Sequence, residues 1–262
     1  MITLGVVTVA TNQYIDYWAK MVESFYENVR DFDLTFHVFT EQLAAVEEFR
    51  ELHPAIDVQV HEIEALGWPF ATLYRYKLIN SITDHLDESI LMHLDADMLV
   101  RTNFDSSFSP DSWEGGIGLV AHPGFWRPRG PELVKLYLHY PRKLVSDFRS
   151  IMENGGLGSW CDNRASTSFV PKRMRDTYYC GGTWMGRNAE FKEMVTDLNE
   201  SVSQDEFTGV MATWHDESHL NKWAVSNTHS TLSPSYCFDP SYPHLRGLGE
   251  IIRAVDKNAL SK

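Results

Sequence analysis

Two aspartates two residues apart, Asp95 and Asp97, interrupt an otherwise apolar run over residues 91–100. In an extended chain residues i and i+2 share a face, so both carboxylates point the same way and can meet one divalent cation. Left alone they would repel each other and resist burial; a hard metal with a diphosphate on its far side removes both objections. A solvated turn is the plain alternative. The second concentration of chemistry is Trp214-His-Asp-Glu-Ser-His-Leu-Asn-Lys222, with five ionisable groups in the eight positions after Trp214. If helical, His215 and His219 share a face as in a zinc-binding His-Glu-x-x-His motif, but Asp216 stands where that motif needs its glutamate. Carboxylates beside Trp214 suit carbohydrate better: the indole stacks on a sugar ring while Asp216 and Glu217 hold its hydroxyls. Here the alternative is the hydrogen-bonded first turn of a helix. A third segment, residues 178–186, places Gly181 and Gly182 after two tyrosines, where missing side chains permit close backbone approach or leave ligand space, or simply form a tight turn.

These groups need a scaffold, and the pattern before residue 100 supplies one. A β-branched run over 4–10 reads as a strand buried on both faces, followed by Ile15, Trp18, Met21, Val22, Phe25 and Val29 at helical spacing. Strands are expected over 36–39, 58–63 and 89–95, and helices over 42–52 and 71–82. This alternation predicts an α/β fold with a mostly parallel, Rossmann-like sheet and helices on both faces, and such sheets bind ligands at the carboxyl ends of their strands. From Gly115 onward glycine and proline accumulate, and long functional loops are expected around one helix over 132–140.

The chain's 262 residues, 43% of them hydrophobic, suffice for a continuous core. With 23 basic against 36 acidic residues the net charge is −13, which argues against nucleic acid as a partner. Three cysteines without a Cys-x-x-Cys pair suggest neither a disulfide framework nor a cysteine zinc site, and favour a reducing compartment. The apolar start is too short to span a bilayer and has no basic flank, so a cytoplasmic location is expected.

In this order the segments resemble glycosyltransferase family 6, the retaining galactosyl- and N-acetylgalactosaminyltransferases that include the ABO blood-group enzymes. The most specific match is residues 214–222. Supporting it are Tyr178-Tyr-x-Gly-Gly182, Leu232-Ser-Pro-x-Tyr-x-x-Asp239, His122-Pro123, Trp68 followed by Arg75, and Ala254-Val-x-Lys-Asn258. The resemblance implies a single GT-A domain over 1–262, its nucleotide-binding part in 1–100 and its acceptor-binding and catalytic part in 101–262. It also implies transfer of galactose or N-acetylgalactosamine from a UDP-sugar to the 3-hydroxyl of a galactose-type acceptor glycan. Val9, Ala10, Thr11 and Tyr14 match the segment that holds uracil and ribose, Asp95 and Asp97 the motif that binds Mn2+ or another divalent cation, and Arg75 a basic residue near the donor sugar. Asp216 matches a carboxylate on donor-sugar hydroxyls, Glu217 the catalytic carboxylate under the anomeric carbon, and Lys257 a lysine closing on the diphosphate. His122, Trp214 and Asp239 match acceptor contacts. Cys180, Gly181 and Gly182 occupy the positions that set the room beside the donor's 2-substituent, and their small size favours the acetamido sugar. Glu217 attacks covalently or stabilises a front-face reaction; the residues leave both open.

Several features depart from the family. No counterpart of the vertebrate membrane anchor and stem precedes residue 1, so a bacterial- or viral-type cytoplasmic enzyme is expected rather than a Golgi-anchored one. Both aspartates are kept where many bacterial members have asparagines. The tail after Lys257 holds only Lys262 as a further cation, and Thr183-Trp-Met follows the glycine pair. A UDP-sugar hydrolase, or a non-catalytic UDP-sugar- or glycan-binding protein, would share the donor residues.

Overall fold

The computed structural model describes residues 2–105 and 108–255. The elements alternate as expected at first: β1 (Ile2–Val9), α1 (Tyr14–Asn28), β2 (Phe32–Thr40), α2 (Leu43–Leu52) and β3 (Asp57–Glu62). Two short helices follow, α3 (Phe70–Leu73) and α4 (Arg75–Asn80), then β4 (Ile90–Leu94), β5 (Met98–Val100) and β6 (Ile117–Ala121). The remainder comprises α5 (Pro131–His139), α6 (Pro141–Asn154), β7 (Tyr179–Arg187), α7 (Asn188–Phe207), α8 (His215–Ser226), β8 (Ser230–Leu232) and β9 (Ile252–Ala254).

Among the described residues one seven-stranded sheet runs in the order β3-β2-β1-β4-β7-β6-β8, and β5 pairs separately with β9. In the large sheet only β7 runs against its neighbours, β4 and β6; the other pairings are parallel. Its two faces carry separate cores. Leu4, Val6, Met92 and Met185 pack with α1 on one side, while Val7, Leu91 and Trp184 pack with α4, α7 and α8 on the other. The period-2 alternation of a strand assigns successive residues to opposite cores, which is why β1 and β4 read as unbroken apolar runs.

The strand order reverses at β1, with β2 on one side and β4 on the other. A crevice opens beyond the carboxyl ends of strands at such a switch point. Residues 9–14, after β1, and residues 95–97, after β4, form its two rims.

Several expectations need correction. The fourth strand ends at Leu94, so Asp95 and Asp97 lie in the turn between β4 and β5 rather than on one strand face. The expected helix over 71–82 breaks at Tyr74 (φ −88°, ψ 2°). That break frees the Thr72 carbonyl to accept from Arg75 Nε (3.0 Å) and aims Arg75 inward. Most of the segment 178–186 belongs to the central strand β7 (Tyr179–Arg187), so the glycine pair lies in a strand and not in a tight turn. The glycine-rich stretch beyond residue 115 holds α6 as well as α5.

Candidate active site

Arg75 organises the crevice. It is 4% exposed, yet its guanidinium is fully partnered: Nη1 donates to the Gly181 carbonyl (2.7 Å) and to His93 Nε2 (2.8 Å), Nη2 meets Asp95 Oδ1 (3.1 Å) and Nε meets Asp216 Oδ2 (3.3 Å). The facing carboxylates hold its charge so firmly that its pKa is raised despite burial. Burial holds His93 neutral, with a pKa lowered to about 4, and the ring stacks on Trp184 at 4.9 Å. His93 is a positioning residue that the sequence reading missed; its only signal was one imidazole inside an apolar strand.

Asp216 and Glu217 sit in the first turn of α8, where the helix dipole favours negative charge. Trp214 (φ −120°, ψ 47°) and His215, at a left-handed φ of 42°, start the helix, and Ser218 Oγ accepts from the Trp214 N–H (2.9 Å). Asn221 ties this helix to β7: its Oδ1 accepts from Tyr179 N–H (2.8 Å) and its Nδ2 donates to Tyr179 O (2.8 Å) and Glu217 O (2.9 Å). The Tyr76 hydroxyl donates to Asp216 O (3.1 Å), and Gly181 N–H donates to Glu217 Oε2 (2.8 Å). Tyr178, also missed as a site residue, reaches Glu217 with its hydroxyl. Burial pushes Asp216 up to about 7 against the pull of Arg75, with Asp95 and Glu217 adding repulsion, and it raises Glu217 as well.

The glycine pair has a structural reason. A Cβ on Gly181 would stand 2.9 Å from Asp216 Oδ2, and one on Gly182 would stand 2.6 Å from Asp95 Oδ2. These glycines make room for the protein's own carboxylates. Cys180 does not line the crevice: its side chain packs into the α1-side core with the Cys237 thiol as its neighbour. That places it away from the expected donor-binding role, because β7 alternation sends residue 180 to the opposite face from residue 181.

Two joined cavities result. One of about 510 Å³ is lined by Val9, Thr11, Tyr14, Arg75, Asp95 and Asp97, among others, and a smaller one of about 200 Å³ by Gly181, Gly182, Trp214, Asp216 and Glu217. Trp68, Thr72, Arg75 and Asp95 line both. Thr11 Oγ1 and Asn12 Nδ2 donate to Leu66 O (3.0 and 3.2 Å), holding the segment before Trp68 at the rim. Ala10 is buried, its N–H bonded to Phe39 O at 2.9 Å, so it supports the rim from below. Trp214 is 50% exposed, a free aromatic face at the mouth.

His122 and Asp239 lie near each other and line neither of these two cavities. Burial lowers the pKa of His122 to about 4, partly opposed by Asp239, and its ring lies 5.8 Å from that of Tyr178. His219 turns away from the crevice: its Nδ1 meets Ser201 Oγ (2.9 Å) and its Nε2 lies 3.7 Å from Asp205 Oδ2, anchoring α8 to α7. His215 instead meets the edge of Trp68 at 5.1 Å, so the two histidines do not converge. Lys257 lies outside the described residues.

Asp95 and Asp97 offer hard oxygen donors on one cavity wall, and the Asp95 side chain is 38% exposed. Two carboxylates, completed by phosphate oxygens and water, suit a Mg2+- or Mn2+-type ion. Among the described residues no three His, Cys, Asp or Glu side chains form a closed cage.

Residues 159–261 match Glycosyltransferase family 6. That match covers less than half of the chain, and relatives extend the likeness to the amino-terminal half. A human globoside α-1,3-N-acetylgalactosaminyltransferase 1 is 26% identical over 251 residues, covering 92% of this chain and 62% of that protein. The chain thus spans less than two thirds of that relative's length. A rat histo-blood group ABO system transferase 1 is 26% identical over 179 residues (66% of this chain, 42% of that protein). An O-antigen biosynthesis glycosyltransferase of Escherichia coli is 20% identical over 260 residues (98% and 96%). Among the described residues no helix is long and apolar enough to cross a membrane.

Proposed function

We propose that the chain is a retaining hexosyltransferase that moves N-acetylgalactosamine or galactose from a UDP-sugar to the 3-hydroxyl of a galactose-type acceptor glycan. The observation that carries this reading is the continuity of the two cavities through Arg75, with one carboxylate pair at each end. The larger cavity is the place for the nucleoside diphosphate, with uracil and ribose against residues 9–14 and the diphosphate toward Asp95 and Asp97. A divalent cation such as Mn2+, held by Asp95 and Asp97, would offset the charge of the departing diphosphate.

In the smaller cavity Asp216 accepts hydrogen bonds from sugar hydroxyls while Arg75 fixes its carboxylate. Glu217, oriented by the Gly181 N–H and Tyr178, presents an oxygen to the anomeric carbon and stabilises positive charge there as the bond to UDP breaks. Desolvation strengthens that interaction and excludes water as a competing acceptor. Trp214 stacks on the acceptor, with His122 and Asp239 holding its hydroxyls. A cytoplasmic location and a preference for UDP-N-acetylgalactosamine belong to the same proposal. The test is UDP release with each donor, with and without β-galactoside glycans, and product identification: an α1,3-linked product is expected, whereas equal UDP release without any glycan makes the protein a hydrolase.

A further inference from the structure

The helix α6 is built inside out. A surface helix of a globular protein turns its apolar stripe to the core, yet the one residue that α6 buries is Asp147, at 4% exposure. Its large apolar side chains face water: Leu144 is 46% exposed, Val145 68%, Phe148 63%, Ile151 50% and Met152 69%. At 100° per residue these five fall within an arc of roughly 120°, a continuous stripe along the helix. Arg142 and Arg149, seven residues apart, follow one edge of it.

The charge around this stripe runs opposite to that of the chain. Residues 126–154 hold six Lys or Arg and three Asp or Glu, a surplus of three positive charges in a protein whose net charge is −13. The three acids are each engaged locally: Glu132 with Lys135 (2.6 Å), Asp147 with Arg127 (2.6 Å) and Glu153 with Arg149 (2.8 Å). Arg129, Arg142 and Lys143 carry the surplus.

We infer that the exposed face of α6 docks the protein on an anionic lipid bilayer, the apolar stripe entering the headgroup boundary and the arginines meeting lipid phosphates. An amphipathic helix with Leu and Phe on one face, basic residues beside it and low overall hydrophobicity lies in a membrane interface rather than across it. A second copy of the chain is a poorer occupant, because a two-fold interface on this face would set two positively charged patches against each other. Docking also has a geometric consequence. A cavity of about 390 Å³ runs from Ile151 on this face past Phe125, Arg129 and Gly156 to Tyr178, the residue that touches Glu217. Resting on the transfer reading above, this orientation would present the acceptor side of the site to a glycan carried at the bilayer surface; the docking itself does not depend on that reading.

Flotation of the full chain with phosphatidylcholine vesicles, with and without about one third phosphatidylglycerol, tests the inference without using activity. Binding is expected to the anionic vesicles, about tenfold or more above the neutral ones, and to weaken as salt is added. Phe148→Glu with Ile151→Glu, and separately Arg142→Ser with Arg149→Ser, should each lower that binding about tenfold with an unchanged circular dichroism spectrum. Val145→Ser with Met152→Ser, at the most exposed positions, serves as a second apolar variant where the first fails to fold. Absence of vesicle binding at low salt, equal binding by wild type and all variants, or a dimer in sedimentation that Phe148→Glu dissolves, overturns the proposal.

Discussion

The two carboxylate pairs that share Arg75 have similar sequences and opposite surroundings. Asp95 and Asp97 lie in a turn where the crevice is open, and Asp95 keeps over a third of its side-chain surface exposed. Asp216 and Glu217 open a buried helix turn, and burial pushes both pKa values up. In the proposed reaction the difference divides the labour. A partly open pair can exchange ligands and hold a cation with its diphosphate, whereas a desolvated pair interacts strongly with charge that appears only during reaction. Arg75 couples them, so the comparison breaks most severely at that residue. Arg75→Met removes the guanidinium that meets buried Asp216 and the Gly181 carbonyl, and the loss in denaturant-measured stability should be roughly 3–5 kcal/mol, with activity abolished. Arg75→Lys should recover little, because one ammonium cannot reach the positions that the guanidinium fork now meets. Near-wild-type stability in Arg75→Met would show that the pairs are independent.

The next largest effect is at Glu217. Glutamine keeps the shape and can still accept from the Gly181 N–H, so Glu217→Gln should fold normally, bind UDP-sugar normally and lose about 10²-fold or more in kcat. His219→Ala, only two residues along α8, should do the reverse. It removes a buried partner of Ser201 and should cost about 1–3 kcal/mol of stability, with less effect on kcat per folded molecule. A variant Glu217→Gln with wild-type kcat would remove this carboxylate from the reaction. At the open pair, exhaustive chelation should cut turnover by about tenfold or more, restored by Mn2+, and Asp97→Asn should raise the metal concentration needed. Undiminished turnover after chelation would show that the diphosphate leaves without a metal at Asp95 and Asp97.

Much of the open half was legible in the sequence, and much of the buried half was not. Hydrophobic periodicity is local, so the strands and helices before residue 63 were read with only their ends misplaced. The Asp95 and Asp97 pair was found, but its strand was overrun because Ala96 and Met98 continue the apolar pattern through the turn. The helix break at Tyr74 is tertiary: Arg75 leaves the ordinary surface role of a mid-helix arginine because Gly181 and Asp216, far along the chain, supply its partners. Strand β7 was hidden by its glycines, which lower strand propensity and are required only by carboxylates from other segments. Helix α7 carried a plain signal in Phe191, Met194, Val195, Leu198 and Val202, which the reading of this half as loops passed over. Helix α6 gave a misleading one, since its apolar stripe predicts burial and is exposed.

The contrast between the pairs also predicts a pH dependence. Asp216 releases its proton near pH 7 in the folded chain and at an ordinary, lower carboxylate pH when unfolded. This group therefore lowers stability as pH rises between those values, and its effect is constant above them. Activity should run the other way. If ionised Asp216 holds the donor sugar, kcat/KM should fall about tenfold per pH unit below a limb near pH 7. Because Asp216 and Glu217 interact, the limb belongs to the pair, and Asp216→Asn should move it. A limb that stays at pH 7 in that variant assigns it to another group.

The smallest expected effect concerns donor choice at Gly182. If the glycine pair were simply space for the donor's 2-acetamido group, Gly182→Ala would reduce kcat/KM for UDP-N-acetylgalactosamine more than for UDP-galactose. The structure adds a competing consequence: the new methyl would lie 2.6 Å from Asp95 Oδ2, closer than van der Waals contact allows. Asp95 can yield, because its side chain is partly exposed, but moving it disturbs the contact with Arg75 Nη2 and the cation-holding position together. That disturbance acts on the diphosphate, which both donors share. Gly182→Ala should therefore lower kcat/KM for both donors by a similar factor, severalfold to about tenfold by the usual cost of overpacking, and raise the metal requirement as Asp97→Asn does. Pocket-size discrimination is worth about 1–3 kcal/mol, a ratio that parallel assays with the two donors resolve easily. A selective loss for the acetamido donor, with an unchanged metal requirement, would show that Gly182 serves the sugar pocket and that Asp95 can move without consequence.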